Sequence, residues 1–150
     1  MMEVKELINA FCERLGIQSE ANAEGIYAFE VDTFEFAIHD LSEQGRIALT
    51  GDLGMVPSEN PEGLFRLMLE AQHCFRETEG ATFSIDGERD SLSLCRMIPC
   101  AELNDEVLFN EVERFVNQLE AWMRIIRDYK GQKEAPEAQE TALDVYHMMV

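Results

Sequence analysis

The stretch 60–85, NPEGLFRLMLEAQHCFRETEGATFSI, decides the fold of this chain. Asn60 is a residue type that caps helices, and Pro61 suits the first helical turn, so a helix is predicted to begin here. Apolar residues then recur with helical spacing to about Glu77. From 81 to 85 apolar and polar residues alternate, which is typical of a strand.

The predicted helix is apolar on more than one face. Phe65 and Leu69 lie on a different side from its main apolar stripe. A helix that packs on one face of a sheet needs an apolar stripe of only about 100°. A second copy of the chain is the simplest partner to bury the additional apolar surface of this helix. A monomer with a crowded core is the alternative. The predicted dimer interface consists of Leu64, Leu67, Met68, Ala71 and Phe75.

Outward from this stretch, the pattern predicts an α+β fold. A helix with apolar residues from Val4 to Leu15 is stopped by Gly16. Three strand-like segments follow at 26–31, 34–39 and 46–50, then the helix from Asn60 and the strands 81–85 and 92–98. A long helix over 104–129 carries one apolar stripe at Leu108, Val112, Phe115, Leu119, Trp122 and Ile126. The order helix–three strands–helix–two strands–helix predicts a twisted antiparallel sheet with helices packed on it.

Length and composition predict a single domain over residues 1–130, followed by a tail. With 150 residues, the chain is long enough for a real core. After Gly131 the composition changes to Gln, Lys, Glu, Ala and Pro, which is typical of a flexible acidic segment over 131–150. The last residues become apolar again and either fray or dock on the body or on a partner.

The charge excludes two classes of partner. The chain has 12 Lys and Arg against 30 Asp and Glu, so its net charge is 12 − 30 = −18. Nucleic acid and anionic membranes require clustered basic residues, so neither is an expected partner. The N-terminus does not resemble a signal peptide, and no window approaches the roughly 20 apolar residues of a membrane span. We therefore expect a cytoplasmic protein whose four cysteines, Cys12, Cys74, Cys95 and Cys100, are reduced core thiols.

The sequence lacks the common catalytic and cofactor-binding motifs, which predicts that the chain is not an enzyme and holds no cofactor or metal. It contains no GxGxxG or GxxxxGK[ST] loop, no HExxH, no CxxC and no EF-hand loop. His39, His73 and His147 could in principle pair with a cysteine. However, no basic neighbour at a helix N-terminus activates any of the thiols.

The stretch 60–80, with the strands ATFSI at 81–85 and SLSLCRMIP at 91–99, resembles one known family. This family comprises the small acidic chaperones of bacterial type III secretion that serve one or a few effectors (CesT-like). The resemblance extends over about residues 1–130. It implies a homodimer formed largely through the middle helix, with no ATP or metal, and a secreted effector as partner, together with the secretion ATPase. The effector's N-terminal segment would bind in an extended, partly unfolded form.

Under this resemblance, the first helix and the meander are expected to line the effector groove. Cargo would add a strand to the meander's edge and bury alternate side chains against the first helix. The acidic host favours a neutral or basic cargo segment. Part of the apolar set is core, and part could line the groove. The candidates are Val4, Leu7, Ile8, Phe11, Phe29, Phe34, Phe36, Ile38, Ile47 and Leu49.

Two other hypotheses remain open from the sequence. The first is a non-catalytic regulatory dimer of the same fold that recognises a folded partner or a small ligand at a compact, saturable site. The second is an enzyme that uses Cys74 with His73, or Cys95. A cysteine-to-serine change would then abolish activity while leaving the fold and the dimer intact.

Overall fold

A computed structural model describes residues 3–31 and 34–131, and of Val31 and Phe34 it describes the backbone alone. The helices and strands are α1 Val4–Leu15, β1 Ile26–Val31, β2 Phe34–Leu41, β3 Arg46–Met55, α2 Pro61–Gln72, β4 Thr82–Asp86, β5 Ser91–Pro99 and α3 Asp105–Asp128. This confirms the predicted α+β class and element order. The tail predicted for 131–150 lies outside the described residues from 132 onward, so the division into domain and tail stays a prediction.

The five strands form one antiparallel sheet in the order β1-β2-β3-β5-β4. In its first three strands, Phe29 lies opposite Phe36, and Ile38 lies opposite Leu49. Side chains alternate between the two faces of a sheet, so this register places the large apolar residues of β1, β2 and β3 on one face. β1 and β4 are the edge strands.

One compact unit comprises the residues up to Gly51 together with Cys95–Asn117. Its core contains a cluster of aromatic rings. The Phe11 ring meets the edge of Phe29 at 5.7 Å, and Phe29 stacks on Phe36 at 5.0 Å between ring centroids. Each buried phenylalanine contributes roughly 1.5–3 kcal/mol to folding. This cluster therefore fixes α1 on the β1–β2 hairpin.

The boundaries of α1 agree with the sequence prediction. At its N-terminus Glu3 and Glu6 form a capping box, and at its C-terminus Gly16 adopts φ 68°, a left-handed conformation that favours glycine. The buried stripe consists of Val4, Leu7, Ile8, Phe11 and Cys12.

The second unit comprises Asp52–Leu94 and the chain from Gln118 onward. Trp122 of α3 is fully buried there and meets Phe83 of β4 edge to face at 4.8 Å. Leu64 and Met68 of α2, which belong to this unit, are buried as well.

The apolar stripe predicted for α3, from Leu108 to Ile126, is buried at all six positions.

Two details of α2 differ from the prediction. Asn60 does not cap the helix through its side chain, because its backbone is left-handed at φ 45°. The helix also ends at Gln72 rather than at Glu77, and a 3-10 turn follows in which Cys74 and Phe75 have φ of 56° and 55°. The Gln72 side chain accepts a hydrogen bond from the Phe83 N–H at 2.7 Å, which ties the end of the helix to β4. Apolar spacing alone could not reveal this tertiary contact.

A close approach joins the end of α3 to the start of α2 within the second unit. The Tyr129 hydroxyl donates a hydrogen bond to the Asn60 carbonyl at 2.7 Å. It passes so near Gly63 that a Cβ on this glycine would lie 2.5 Å from the hydroxyl oxygen. Only a residue without a side chain fits here.

We expect Gly63→Ala to destabilise the protein by about 1–3 kcal/mol, the range for overpacking, although alanine normally favours a helix. The cost should shrink without vanishing in the Tyr129→Phe background, because the hydroxyl is missing there while the Asn60 Nδ2, 2.6 Å from the added Cβ, remains. Urea unfolding of the two single variants and the double variant measures this coupling. Gly87→Ala is the matched control, because a Cβ there meets nothing within 4 Å. Equal destabilisation by Gly63→Ala in both backgrounds would contradict the proposed contact.

Candidate protein-binding surfaces

The residues predicted to line the effector groove form the core of the first unit in the chain by itself. Nine of the ten are buried: Val4, Leu7, Ile8, Phe11, Phe29, Phe36, Ile38, Ile47 and Leu49. The tenth is Phe34, whose side chain lies outside the described residues. A groove on this unit therefore has to use side chains that are exposed around this core, and the ten-residue assignment itself stays a prediction.

The residues predicted for the dimer interface separate into two groups. Leu64, Met68 and Ala71 are buried within their own chain, and Leu67 is half-buried. Phe75 is 51% exposed.

Leu69, which the sequence placed on the second face of the helix, is 64% exposed. Phe65, one helical turn before it, is half-buried. We call Phe65, Leu69 and Phe75 the outer α2 residues. They are apolar side chains of α2 and its terminal turn that are exposed or half-buried, and Leu67 is half-buried as well.

The outer edge of β1 is a second candidate surface. Gly25 accepts a hydrogen bond from Asp40, so the β1–β2 register directs the backbone groups of Ile26, Ala28 and Glu30 away from β2. Ile26 exchanges hydrogen bonds with Asn22, whose N–H reaches the Ile26 carbonyl and whose side chain accepts from the Ile26 N–H.

Further along this edge, the Ala28 carbonyl accepts a hydrogen bond from the Ser19 hydroxyl at 2.9 Å. The loop before β1 thus follows the edge only as far as Ala28. The outward N–H groups of Ala28 and Glu30 are oriented to pair with an added strand.

A third surface lies where α1 ends beside the start of α3, within the first unit. The Arg14 guanidinium lies 3.7 Å above the ring of Phe109 and forms an ion pair with Glu106 at 3.1 Å. Leu15 beside it is 45% exposed. An exposed ion pair contributes only about 0–1 kcal/mol, so a partner could displace Arg14 from the ring at low cost. Sequence periodicity did not single out Arg14, because a cation–π contact joins residues far apart in the chain.

Three of the four thiols are poorly suited to act as nucleophiles. Burial raises the pKa of Cys12, Cys95 and Cys100, which reduces the thiolate fraction at neutral pH. Cys74 is exposed, so the prediction that it is a core thiol is wrong, because α2 ends before this residue.

Two further findings concern metals and membranes. Among residues 3–31 and 34–131, no group of three or more His, Cys, Asp or Glu could hold a metal ion. In the same ranges, none of the helices is long and apolar enough to cross a membrane.

These surfaces belong to a fold that other proteins share. The family model of the Tir chaperone protein (CesT) family matches residues 6–123, which is most of the chain. The chain therefore belongs to the CesT family, a family of chaperones. This confirms the resemblance found in the sequence. No curated protein sequence matches the chain.

Solved structures show the same fold. The chain is similar to one in the crystal structure of the ExsC-ExsE complex, with a TM-score of 0.71, 23% identity, and coverage of 83% of this chain and 97% of that one. It is also similar to one in the HopA1-SchA chaperone–effector complex, with a TM-score of 0.65 and 21% identity. The match covers 83% of this chain and 93% of that one. A third similar chain is in the ExoU-SpcU complex of the type III secretion system of Pseudomonas aeruginosa, with a TM-score of 0.62 and 18% identity. This match covers 80% of this chain and 95% of that one.

His39 provides a test of the first unit at acidic pH. Its ring bonds the Thr50 hydroxyl at 2.8 Å, and burial lowers the pKa of His39, partly offset by Glu24. Between the lowered folded pKa and the ordinary value near 6.5, the unfolded chain binds more protons. Stability should therefore fall as pH decreases below about 6.5.

We expect His39→Gln, which keeps a hydrogen-bonding group beside Thr50, to lose this part of the pH dependence. Urea unfolding at pH 7.5 and 5.5 measures it. His73→Gln, at an exposed position, is the control and should keep the wild-type difference. If His39→Gln loses as much stability on acidification as the wild type, burial of the ring does not oppose its protonation.

Proposed function

We propose that this protein is a cytoplasmic type III secretion chaperone that binds the N-terminal segment of one or a few effectors and keeps it soluble and partly unfolded. Membership of the CesT family supports this function most directly. Similar chains occur in complexes named for chaperones with effectors. The chain also exposes apolar side chains while carrying a net charge of −18, which opposes non-specific aggregation through such surfaces.

The outer edge of β1 is the proposed site for strand addition. Backbone hydrogen bonds to Ala28 and Glu30 would provide affinity that depends little on the cargo's sequence. Specificity would come from side chains that reach past the edge. The exposed charge on this strand is acidic at Glu30, which favours a cargo segment with basic residues.

The corner at Arg14 is the proposed site for an apolar anchor of the cargo. An apolar side chain that replaces Arg14 would cover the Phe109 ring, which lies 6.4 Å from Phe11 of the core. Leu15 would widen the contact. One buried Leu or Ile contributes roughly 1.5–3 kcal/mol before ordering costs, so a stable complex needs several anchors along an extended segment.

The chaperone is proposed to act as a homodimer through α2. Leu69 and Phe75 expose large apolar side chains, and a second copy is the simplest partner that would cover them. Of the five residues predicted from the sequence, Leu67 and Phe75 are the ones not fully buried within their own unit. The secretion ATPase is a further proposed partner.

The function is tested by coexpression with candidate effectors from the source bacterium, followed by affinity capture and limited proteolysis. A chaperone should protect only an N-terminal stretch of the captured effector, while the remainder is digested or folds independently. Capture of a fully folded partner, or saturable binding of a small ligand without an effector, would favour a regulatory binding module instead. Cysteine-to-serine variants should bind cargo like the wild type.

We expect Ala28→Pro to weaken binding of the effector segment at least tenfold, which corresponds to about 1.4 kcal/mol. Proline removes an outward N–H of β1 without removing a β1–β2 hydrogen bond. Ala28→Val is the matched control because it keeps the N–H at the same exposed position. Calorimetric titration measures affinity, and thermal unfolding shows that both variants remain folded. Equal affinity for both variants would exclude strand addition at this edge.

We expect the double variant Leu69→Glu, Phe75→Glu to convert the dimer into single chains of 17.1 kDa at micromolar concentration. Buried carboxylates in an apolar interface are unpaired and costly. Light scattering after size exclusion measures the mass, and circular dichroism checks the fold. Leu15→Glu, an exposed leucine of the other unit, is the control. Met68 is unsuitable because it is 2% exposed, and a charge there would damage the core. A double variant that keeps the mass of two chains would refute this interface.

A further inference from the structure

We propose that the last eight residues, 143–150, cover the outer α2 residues of their own chain and compete with a second copy for that surface. The competition rests on the proposed dimer, since it takes the outer α2 residues to be where a second copy binds. The occupant is a segment of this chain beyond the described residues. Three features of the chain support it: where the tail begins, how far it reaches, and its apolar character.

The tail begins beside the first turn of α2. Gly131 lies against Glu59, so closely that a Cβ on Gly131 would be 2.6 Å from the Glu59 Cβ. Two residues earlier, Tyr129 is held by its hydrogen bond to Asn60. The end of α3 is therefore fixed next to the residues that precede Pro61, within the same compact unit as α2.

The tail is long enough to reach the whole surface. Residues 132–142 provide an eleven-residue connection that can extend to at most about 36–40 Å. The twelve residues of α2 span only about 18 Å. The segment 143–150 can therefore lie beside Leu69 and continue to Phe75, with no rearrangement of the described residues.

The chemistry of the segment matches the surface. Residues 143–150 read LDVYHMMV, with six large apolar side chains and one carboxylate. Methionine adapts to irregular apolar surfaces, and tyrosine covers a large area with few rotatable bonds. Exposed apolar side chains are unfavourable in water both in this segment and at Leu69 and Phe75, and contact between the two removes both from water.

Tethering makes the competition effective. A segment joined to its site by a short connection has an effective concentration on the order of millimolar. A second copy at micromolar concentration must displace it, and both copies of a dimer must be uncovered. The apparent dimer affinity therefore falls with the square of the fraction of chains whose surface is uncovered. The tail would therefore keep single chains with covered α2 surfaces in equilibrium with dimers.

The alkylation rate of Cys74 measures directly whether the segment 143–150 covers the outer α2 residues. This thiol is exposed and adjacent to Phe75. The full-length protein is treated with iodoacetamide at a dilution where it is monomeric, and peptide mass spectrometry separates Cys74 from the other three cysteines. The test variant is Leu143→Ser, Tyr146→Ser, Met149→Ser. We expect it to react at least fivefold faster than the wild type. Glu134→Ser with Ala138→Ser, in the connection, is the control for added serines and should change the rate less than twofold.

Dimer affinity provides the second readout, from sedimentation equilibrium over a range of concentrations. The tail variant should dimerise with a Kd at least tenfold lower than the wild type. An unchanged Cys74 rate would overturn the proposal, because the tail would then not cover this surface. Faster alkylation with unchanged or weaker dimerisation would overturn the competition.

The dimer proposal can fail separately. If the Leu69→Glu, Phe75→Glu variant keeps the mass of two chains, the second copy binds elsewhere. The alkylation rates measured on the monomer still decide whether the tail covers α2.

Discussion

The burial of one face of α3 is the constraint on which the rest of the structure depends. This 24-residue helix contributes to the core of both compact units, with Leu108, Val112 and Phe115 in the first and Leu119, Trp122 and Ile126 in the second. In the second unit Trp122 meets Phe83, and the end of α3 is joined to α2 through Tyr129.

The exposed apolar groups are tolerable because of the charge. Leu69, Phe75 and Leu15 would favour association with many proteins if the chain were neutral. The excess of 18 negative charges repels other copies at long range, while short-range apolar contacts remain available to a partner that matches them. This combination suits a protein that must hold an apolar polypeptide segment and stay in solution. It also explains why family membership and surface chemistry point to the same function.

Sequence reasoning missed the Arg14 corner, and it predicted strand addition at the meander's edge without the backbone groups that are accessible there. Both gaps have a common physical cause. The Arg14 corner joins α1 to α3 across more than ninety residues, and the accessible groups of β1 depend on how Asn22 and Ser19 fold back on the strand. Neither arrangement leaves a periodic signal. The groove prediction named the largest apolar residues of α1 and the meander, and nine of these ten residues are buried in the core of the folded chain. In a small domain, the side chains available to a partner are those left around the core.

The sequence alone determined the class of the protein, the order of its helices and strands, the burial of the α3 stripe and the net charge. Each depends on local periodicity or on composition, which a single chain displays directly. Tertiary structure decided which side of an apolar helix faces outward and where that helix ends. Met68 and Leu69 are adjacent and similarly apolar, yet Met68 is buried and Leu69 is exposed. The end of α2 at Gln72 depends on a hydrogen bond from Phe83, eleven residues later. These properties belong to contacts between distant residues, and no local pattern encodes them.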